Sequence, residues 1–207
     1  MSLLPLILLS LALLSQPHSV AARRRGHDLQ APSSDLVRTS CVHANYPNLC
    51  LRTLSAYSGP ARTPRDLAQA AVNVSLDRAK RVSKYLARTA FSYGGGGSGG
   101  GGGGSKRQRA ALGDCVEQIS DSVEELTKTL AELQHLRWET FRWQMSNAQT
   151  WVSAALTNED TCLDGFQGVD GGGKLKADVK RKITNLARIT SNALYMINRL
   201  DETRGRS

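Results

Sequence analysis

Residues 151–166 read Trp151-Val-Ser-Ala-Ala-Leu-Thr-Asn-Glu-Asp-Thr-Cys162-Leu-Asp-Gly-Phe166. Running into this stretch, Phe141, Met145, Ala148, Val152 and Ala155 recur at steps of four, three, four and three, and Cys162 keeps the phase. That spacing is one face of an α-helix. Ala148 and Ala155 are small enough to let a neighbouring helix approach closely, while Trp151 offers a large apolar body with one N–H to satisfy. Core packing accounts for the periodicity. It does not account for the polar run 157–160 or for the Thr-Cys-Leu-Asp-Gly-Phe ending.

Three other long segments carry the same period. Thr63 caps and Pro64 opens one with Leu67, Ala71, Val74, Ala79, Val82 and Leu86 along one side. A second holds Leu112, Val116, Ile119, Val123, Leu126, Leu130 and Leu133 in unbroken four-three alternation. The opening stretch belongs to the third helix; Ser146 and Gln149 have capping-box spacing, which sets its start as late as Ser146. The fourth carries Val179, Ile183, Leu186, Thr190, Ala193, Ile197 and Leu200, after a turn at Gly171-Gly-Gly173. Four amphipathic helices with no strand-like alternation predict an all-α, antiparallel up-down four-helix bundle over residues 63–201. Ahead of it, residues 34–58 form two short helical pieces around Asn45-Tyr46-Pro47, a turn between Cys41 and Cys50. They read as a short disulfide-pinned helical hairpin. Residues 94–104 are glycine apart from Ser98, so a Gly-rich loop (94–105) is inserted between the first two bundle helices. As a flexible linker it spans roughly 20 Å and costs the bundle little.

The first 22 residues are a secretory signal peptide by pattern: an apolar run from Leu3 to Leu14, then small residues at Val20, Ala21 and Ala22. The run is too short to span a bilayer. Removing 22 of 207 residues leaves 185, enough for one domain. Residues 23–33 form a basic arm led by Arg23-Arg-Arg25, and 34–203 form the domain. The chain has 27 Lys and Arg against 18 Asp and Glu, a net charge of +9, and none of these residues lies in the leader. For an exported protein nucleic acid is a poor partner. An acidic polysaccharide or an acidic protein surface suits the charge, because long-range attraction speeds encounter. Cys41, Cys50, Cys115 and Cys162 make an even count in an oxidising compartment, with three connectivities open, of which local pairing is the simplest.

No catalytic constellation is present: no Gly-x-Ser-x-Gly elbow, no phosphate loop in a strand–helix setting, no His pair at ligand spacing. The expectation is a protein with no cofactor and no metal that is not an enzyme. One polar pattern stands out. Glu117, Asp121 and Glu124 fall at steps of four and three, an acidic stripe along one side of the second helix of an otherwise basic protein. Asn73-Val-Ser75 is a glycosylation sequon lying within a helix. Arg23-Arg-Arg25 and Lys106-Arg-Gln-Arg109 read as solvated arms, with weak adhesion to an acidic polysaccharide as the sharper option. Trp138, Phe141 and Trp143 read as a cap on the bundle end.

The stretch 151–166, with Ala110-Ala-Leu-Gly-Asp-Cys115, Ser191-Asn-Ala-Leu194 and the eight-residue spacing of Cys41 and Cys50 around Tyr46-Pro47, closely resembles the plant invertase and pectin methylesterase inhibitor family, and within it the pectin methylesterase branch. The resemblance spans about residues 34–202 and implies the pairings Cys41–Cys50 and Cys115–Cys162. It implies a secreted, reversible one-to-one inhibitor in the cell wall, with no membrane contact after signal cleavage. Glu117, Asp121, Glu124, Thr161 and Asp164 match the positions by which such inhibitors face the enzyme's cleft, and the second disulfide sets the stripe beside Thr161 and Asp164. Invertase-inhibiting relatives carry Pro-Lys-Phe between the second and third bundle helices; here that segment is His135-Leu-Arg-Trp-Glu-Thr-Phe-Arg-Trp143. The alternatives are an inhibitor of acid invertase and a non-inhibitory basic bundle that grips wall polysaccharide.

Overall fold

Thr63 and Pro64 start the first bundle helix, as the sequence requires. The Asp66 backbone N–H donates to Thr63 Oγ1 at 3.1 Å, and Asp66 Oδ2 accepts from the backbone N–H groups of Thr63 and Arg62. This reciprocal cap satisfies donors that the first turn leaves orphaned. The structure is a computed structural model that describes residues 31–59, 61–94, 106–169 and 173–204. The leader, residues 23–30 of the basic arm, the glycine run 95–105 and residues 170–172 lie outside the described residues. Contacts divide the chain into Met1–Ala31 and Pro32–Ser207, and the architecture here is that of the second unit.

The elements run α1 (Ala31–Cys41), α2 (Pro47–Ser55), α3 (Pro64–Gly94), α4 (Lys106–Gln134), α5 (Phe141–Gly165) and α6 (Gly173–Arg204). Four boundaries differ from the sequence reading. α1 already begins at Ala31, inside the stretch assigned to the basic arm, and Gly94, assigned to the glycine loop, closes α3. Lys106 to Arg109 are the first turn of α4 rather than an arm, with Arg107 donating to the Gly168 carbonyl at 3.2 Å and Gln108 buried. α5 starts at Phe141 and not at Ser146, with Thr140 at its N-cap. Gly173 opens α6 with φ at +42°, a left-handed conformation that glycine adopts at little cost.

Helices α3 to α6 form a square in which each packs on two neighbours: α3 on α4, α4 on α5, α5 on α6, and α6 back on α3. Each neighbouring pair is antiparallel. Arg65 at the start of α3 bonds the Leu133 and Gln134 carbonyls at the end of α4, and Lys176 at the start of α6 bonds the Gln167 carbonyl past the end of α5. The seven positions predicted to face inward on α6 are all buried, Thr190 included. On α4 the core is turned by about 40° from the apolar seam, less than half the rotation between successive residues. Cys115, Ser122 and Thr129 are fully buried alongside Leu112, Ile119, Leu126 and Leu133, whereas Val116, Val123 and Leu130 are half-buried. The reason is the α4–α5 seam, where Ser122 Oγ bonds the Ala155 carbonyl at 3.1 Å and only small residues let the backbones come that close.

The hairpin α1–α2 is pinned by Cys41–Cys50 and lies against α3 and α6 through α2. Asn192 of α6 grips its turn: the Tyr46 N–H donates to Asn192 Oδ1 at 2.9 Å and Asn192 Nδ2 donates to the Tyr46 carbonyl at 3.1 Å. Asn45 Nδ2 adds a bond to Ser191 Oγ at 2.8 Å. Among the described residues no helix is long and apolar enough to cross a membrane.

Candidate functional site

Glu117, Asp121 and Glu124 are all exposed, on the side of α4 opposite the buried Cys115, Ile119, Ser122 and Leu126. Their helix is fixed to α5 by the disulfide Cys115–Cys162, which holds the two Cα atoms 4.6 Å apart. Glu117 and Thr161 each lie within two residues of a bridged cysteine at this joint. Thr161 is exposed and its hydroxyl donates to the Thr157 carbonyl at 2.8 Å, which fixes its rotamer.

Because α4 and α5 run in opposite directions, the stripe and Asp164 diverge from the joint. Asp121 and Glu124 continue alongside the middle of α5, where Glu125 Oε2 accepts from Asn158 at 2.9 Å. Asp164 lies past Cys162, level with the residues before Cys115, and accepts a bond from Gln167 Nε2. It lines a groove with Asp160, Lys176 and Lys180 on the side of α6. The five residues thus form a strip about 15 Å long, by the rise of an α-helix, rather than a single cluster. At its far end Glu124 pairs with Lys128 at 2.7 Å, and the hydrogen bond and charge of Lys128 hold its carboxyl below the ordinary range. Lys128 also sits 4.7 Å from the Trp151 ring, so the residue that marks the opening stretch contributes to the outer surface as well as to the seam.

The turn between α4 and α5 is held together by one side chain. Gln144 is buried; its Oε1 accepts from the Arg137 N–H at 2.8 Å and the Thr140 hydroxyl at 2.9 Å, and its Nε2 donates to the His135 carbonyl at 2.9 Å. On this frame only one of the three aromatic residues caps the bundle. Phe141 is buried, but Trp138 and Trp143 are 72% and 65% exposed. Asn73 is half-buried with Nδ2 donated to the Gln69 carbonyl, and Ser75 of the same sequon is fully buried. A glycan on Asn73 would have to be attached before α3 packs. Both local disulfide pairings are present, and no group of three or more metal-ligating side chains occurs among the described residues.

Residues 35–196 match the family described as plant invertase/pectin methylesterase inhibitor. The chain belongs to that family. Pectinesterase inhibitor 3 of Arabidopsis thaliana is 51% identical over 207 residues, covering 97% of this chain and 93% of that protein. Pectinesterase inhibitor 9 of the same plant is 38% identical over 204 residues, covering 96% and 93%, and a 21 kDa protein of Daucus carota is 38% identical, covering 81% and 84%. In fold, the crystal structure of mutant form A of a pectin methylesterase inhibitor from Arabidopsis is similar at a TM-score of 0.59 and 22% identity, covering 77% of this chain and 93% of that one.

Within this inhibitor-family bundle the most consequential residue missed in the sequence is Glu159. It is fully buried, with Oε1 accepting from Thr190 Oγ1 at 2.9 Å, while Thr190 Oγ1 lies 2.7 Å from Ser75 Oγ. Its Oε2 has no hydrogen-bond partner. Burial raises its carboxyl well above the ordinary range against the lowering effect of the Thr190 bond, and Asp160 and Glu125 push the same way as burial. The signal was present: Ala155 plus four is Glu159, the vacant step of the seam before Cys162.

Proposed function

We propose that this chain is a secreted, reversible inhibitor of pectin methylesterase that blocks the enzyme's substrate cleft with the outer face of α4 and the end of α5. The observation that carries the reading is the exposed line Glu117, Asp121 and Glu124, tied by Cys115–Cys162 to Thr161. A cleft shaped for a chain of uronate carboxylates is filled here by a rigid helix face that presents carboxylates of its own. The inhibitor performs no chemistry; exclusion of substrate suffices, and a preformed surface reduces the ordering cost of binding. The complex is one-to-one and forms outside the cell, in the wall space where pectin is found. The basic residues 23–25 add a weak attraction to pectin polyanion.

The test is to assay the purified, oxidised protein against a pectin methylesterase and an acid invertase at mildly acidic pH. The expected result is inhibition of the first alone. Asp121→Ala combined with Asp164→Ala should weaken inhibition about tenfold or more while leaving the melting temperature unchanged, since both residues are exposed. Unchanged inhibition by the double variant would remove these residues from the contact.

A further inference from the structure

The side of the square away from the acidic strip carries a groove with the opposite character. Arg78 and Arg81 of α3 and Lys182 of α6 line it together with Val82, in a space of about 160 Å³. Arg52 of α2 projects its charge onto Arg78 from the flank. None of the four cations forms an ion pair among the described residues. Asp178 on α6, whose carboxyl feels the charge of Lys182, is paired with Arg181 at 2.8 Å; Asp77 on α3 is exposed and makes no ion pair among the described residues. Lys182 Nζ sits 4.4 Å from the centroid of the Tyr85 ring on α3.

A groove whose charged lining is all cationic is unfavourable for the protein alone. Arg78 is half-buried and its Nε is buried with no hydrogen-bond partner. Burial, then the like charges of Arg81 and Arg52, push its guanidinium below the ordinary range. A buried donor without an acceptor and three unneutralised neighbours describe a site lacking its anion.

We propose that the Arg78–Arg81–Lys182 groove binds a carboxylate of an acidic polysaccharide chain, seating one uronate between α3 and α6 with its neighbours along Arg52. The guanidinium fork of Arg78 or Arg81 fits a carboxylate in two parallel bonds, and Lys182, held over the Tyr85 ring, adds a further donor. The groove admits a carboxylate and part of one ring, so charge is read one uronate at a time. Methyl esterification, which removes that charge, removes the ligand. The choice of uronate as the source of the carboxylate rests on the proposed target's substrate; the cationic site does not. Since α3 and α6 lie across the square from α4 and α5, the inhibitor can hold de-esterified polymer and enzyme on opposite sides at once.

The test uses the oxidised mature chain without any enzyme, titrated by calorimetry with a decamer of galacturonate and with its fully methyl-esterified form at low salt. The acidic decamer should bind, with an affinity that falls as salt rises, and the ester should not. Arg81→Gln with Lys182→Gln should weaken binding about tenfold or more, and Arg78→Lys should retain part of it. Arg137→Gln with Arg142→Gln, which removes the same charge from the far turn, should change binding by less than about twofold. The proposal is overturned if the acidic decamer fails to bind, if the ester binds equally, or if the two double variants lose affinity alike. It is also overturned if the groove variants impair binding of an acidic protein and not of the decamer. With no enzyme in the cell, these outcomes are independent of whether the acidic strip inhibits pectin methylesterase.

Discussion

Replacing Glu159 by Gln should flatten the pH dependence of stability, and the size of the effect follows from the burial of this one carboxyl. In the fold its proton is held well above the ordinary value of 4.5, chiefly by desolvation. The sign follows directly: a raised carboxyl favours the folded state while it stays protonated. That contribution is complete below pH 4.5 and is lost as pH climbs from there through the folded-state value. Across that window the bundle loses about 1.4 kcal/mol per pH unit from this group, or roughly 3–6 °C in melting temperature for a domain of this size. Glutamine keeps the acceptor for Thr190 but carries no titrating proton. Its amide brings one more buried donor than the neutral acid, at about 1–3 kcal/mol. The variant should therefore melt below the parent at pH 4 and above it at pH 8. Glu125, raised mainly by burial, acts in the same direction as Glu159; Glu124 and Asp178, lowered mainly by hydrogen bonds to Lys128 and Arg181, act oppositely. All three are common to both proteins and cancel in the difference. Thermal unfolding of the oxidised pair from pH 4 to 8 measures it. Parallel curves would refute the reasoning, since a buried carboxylate that costs nothing to ionise is not desolvated.

Replacing Cys115 and Cys162 together by Ser opens a span of 47 residues and should cost about 4 kcal/mol, read as a lower denaturation midpoint; a loss under about 1 kcal/mol would contradict the entropic account. Phe141→Ala should destabilise by about 3–5 kcal/mol, whereas Trp143→Ala, at 65% exposure, should change stability by no more than about 0.5 kcal/mol; chemical denaturation of both separates the buried member of the aromatic group from the exposed one. Asn192→Ala removes both bonds to the Tyr46 backbone and should cost about 1–3 kcal/mol. Amide hydrogen exchange should then quicken in α1 and α2 and leave α4 protected; uniform quickening would mean that the hairpin and the bundle open as one.

The helices were legible because leucine, isoleucine and valine at helical spacing leave few alternatives, and α6 fulfils that pattern at every position. On α4 the same reasoning found four of the seven seam positions fully buried and three half-buried against the core, but missed Cys115, Ser122 and Thr129. Side-chain volume alone favours Val116 and Val123 inside, but the approach of α5 gives those places to Cys115 and Ser122. Polar residues inside the bundle were harder to read, because their partners come from distant segments: Glu159 meets Thr190, and Asn192 meets Tyr46. The start of α5 was misplaced for a related reason. Ser146 and Gln149 have capping spacing, yet Gln149 instead bonds Asn198 across the seam to α6 at 3.1 Å. The acidic line was legible as a pattern on one helix. That it diverges from Asp164 follows only from the antiparallel course of α5.

The Cys115–Cys162 bond also decides how the molecule carries tension. A pull applied at the two chain ends follows the covalent path, and at Cys115 that path crosses the sulfur bridge directly to Cys162. Residues 116–161 are then a closed ring hanging off the line of force. Glu117, Asp121, Glu124 and Thr161 all lie inside it. A stretched molecule would unravel α3 and α6 from their ends while these four residues stayed on an unloaded loop.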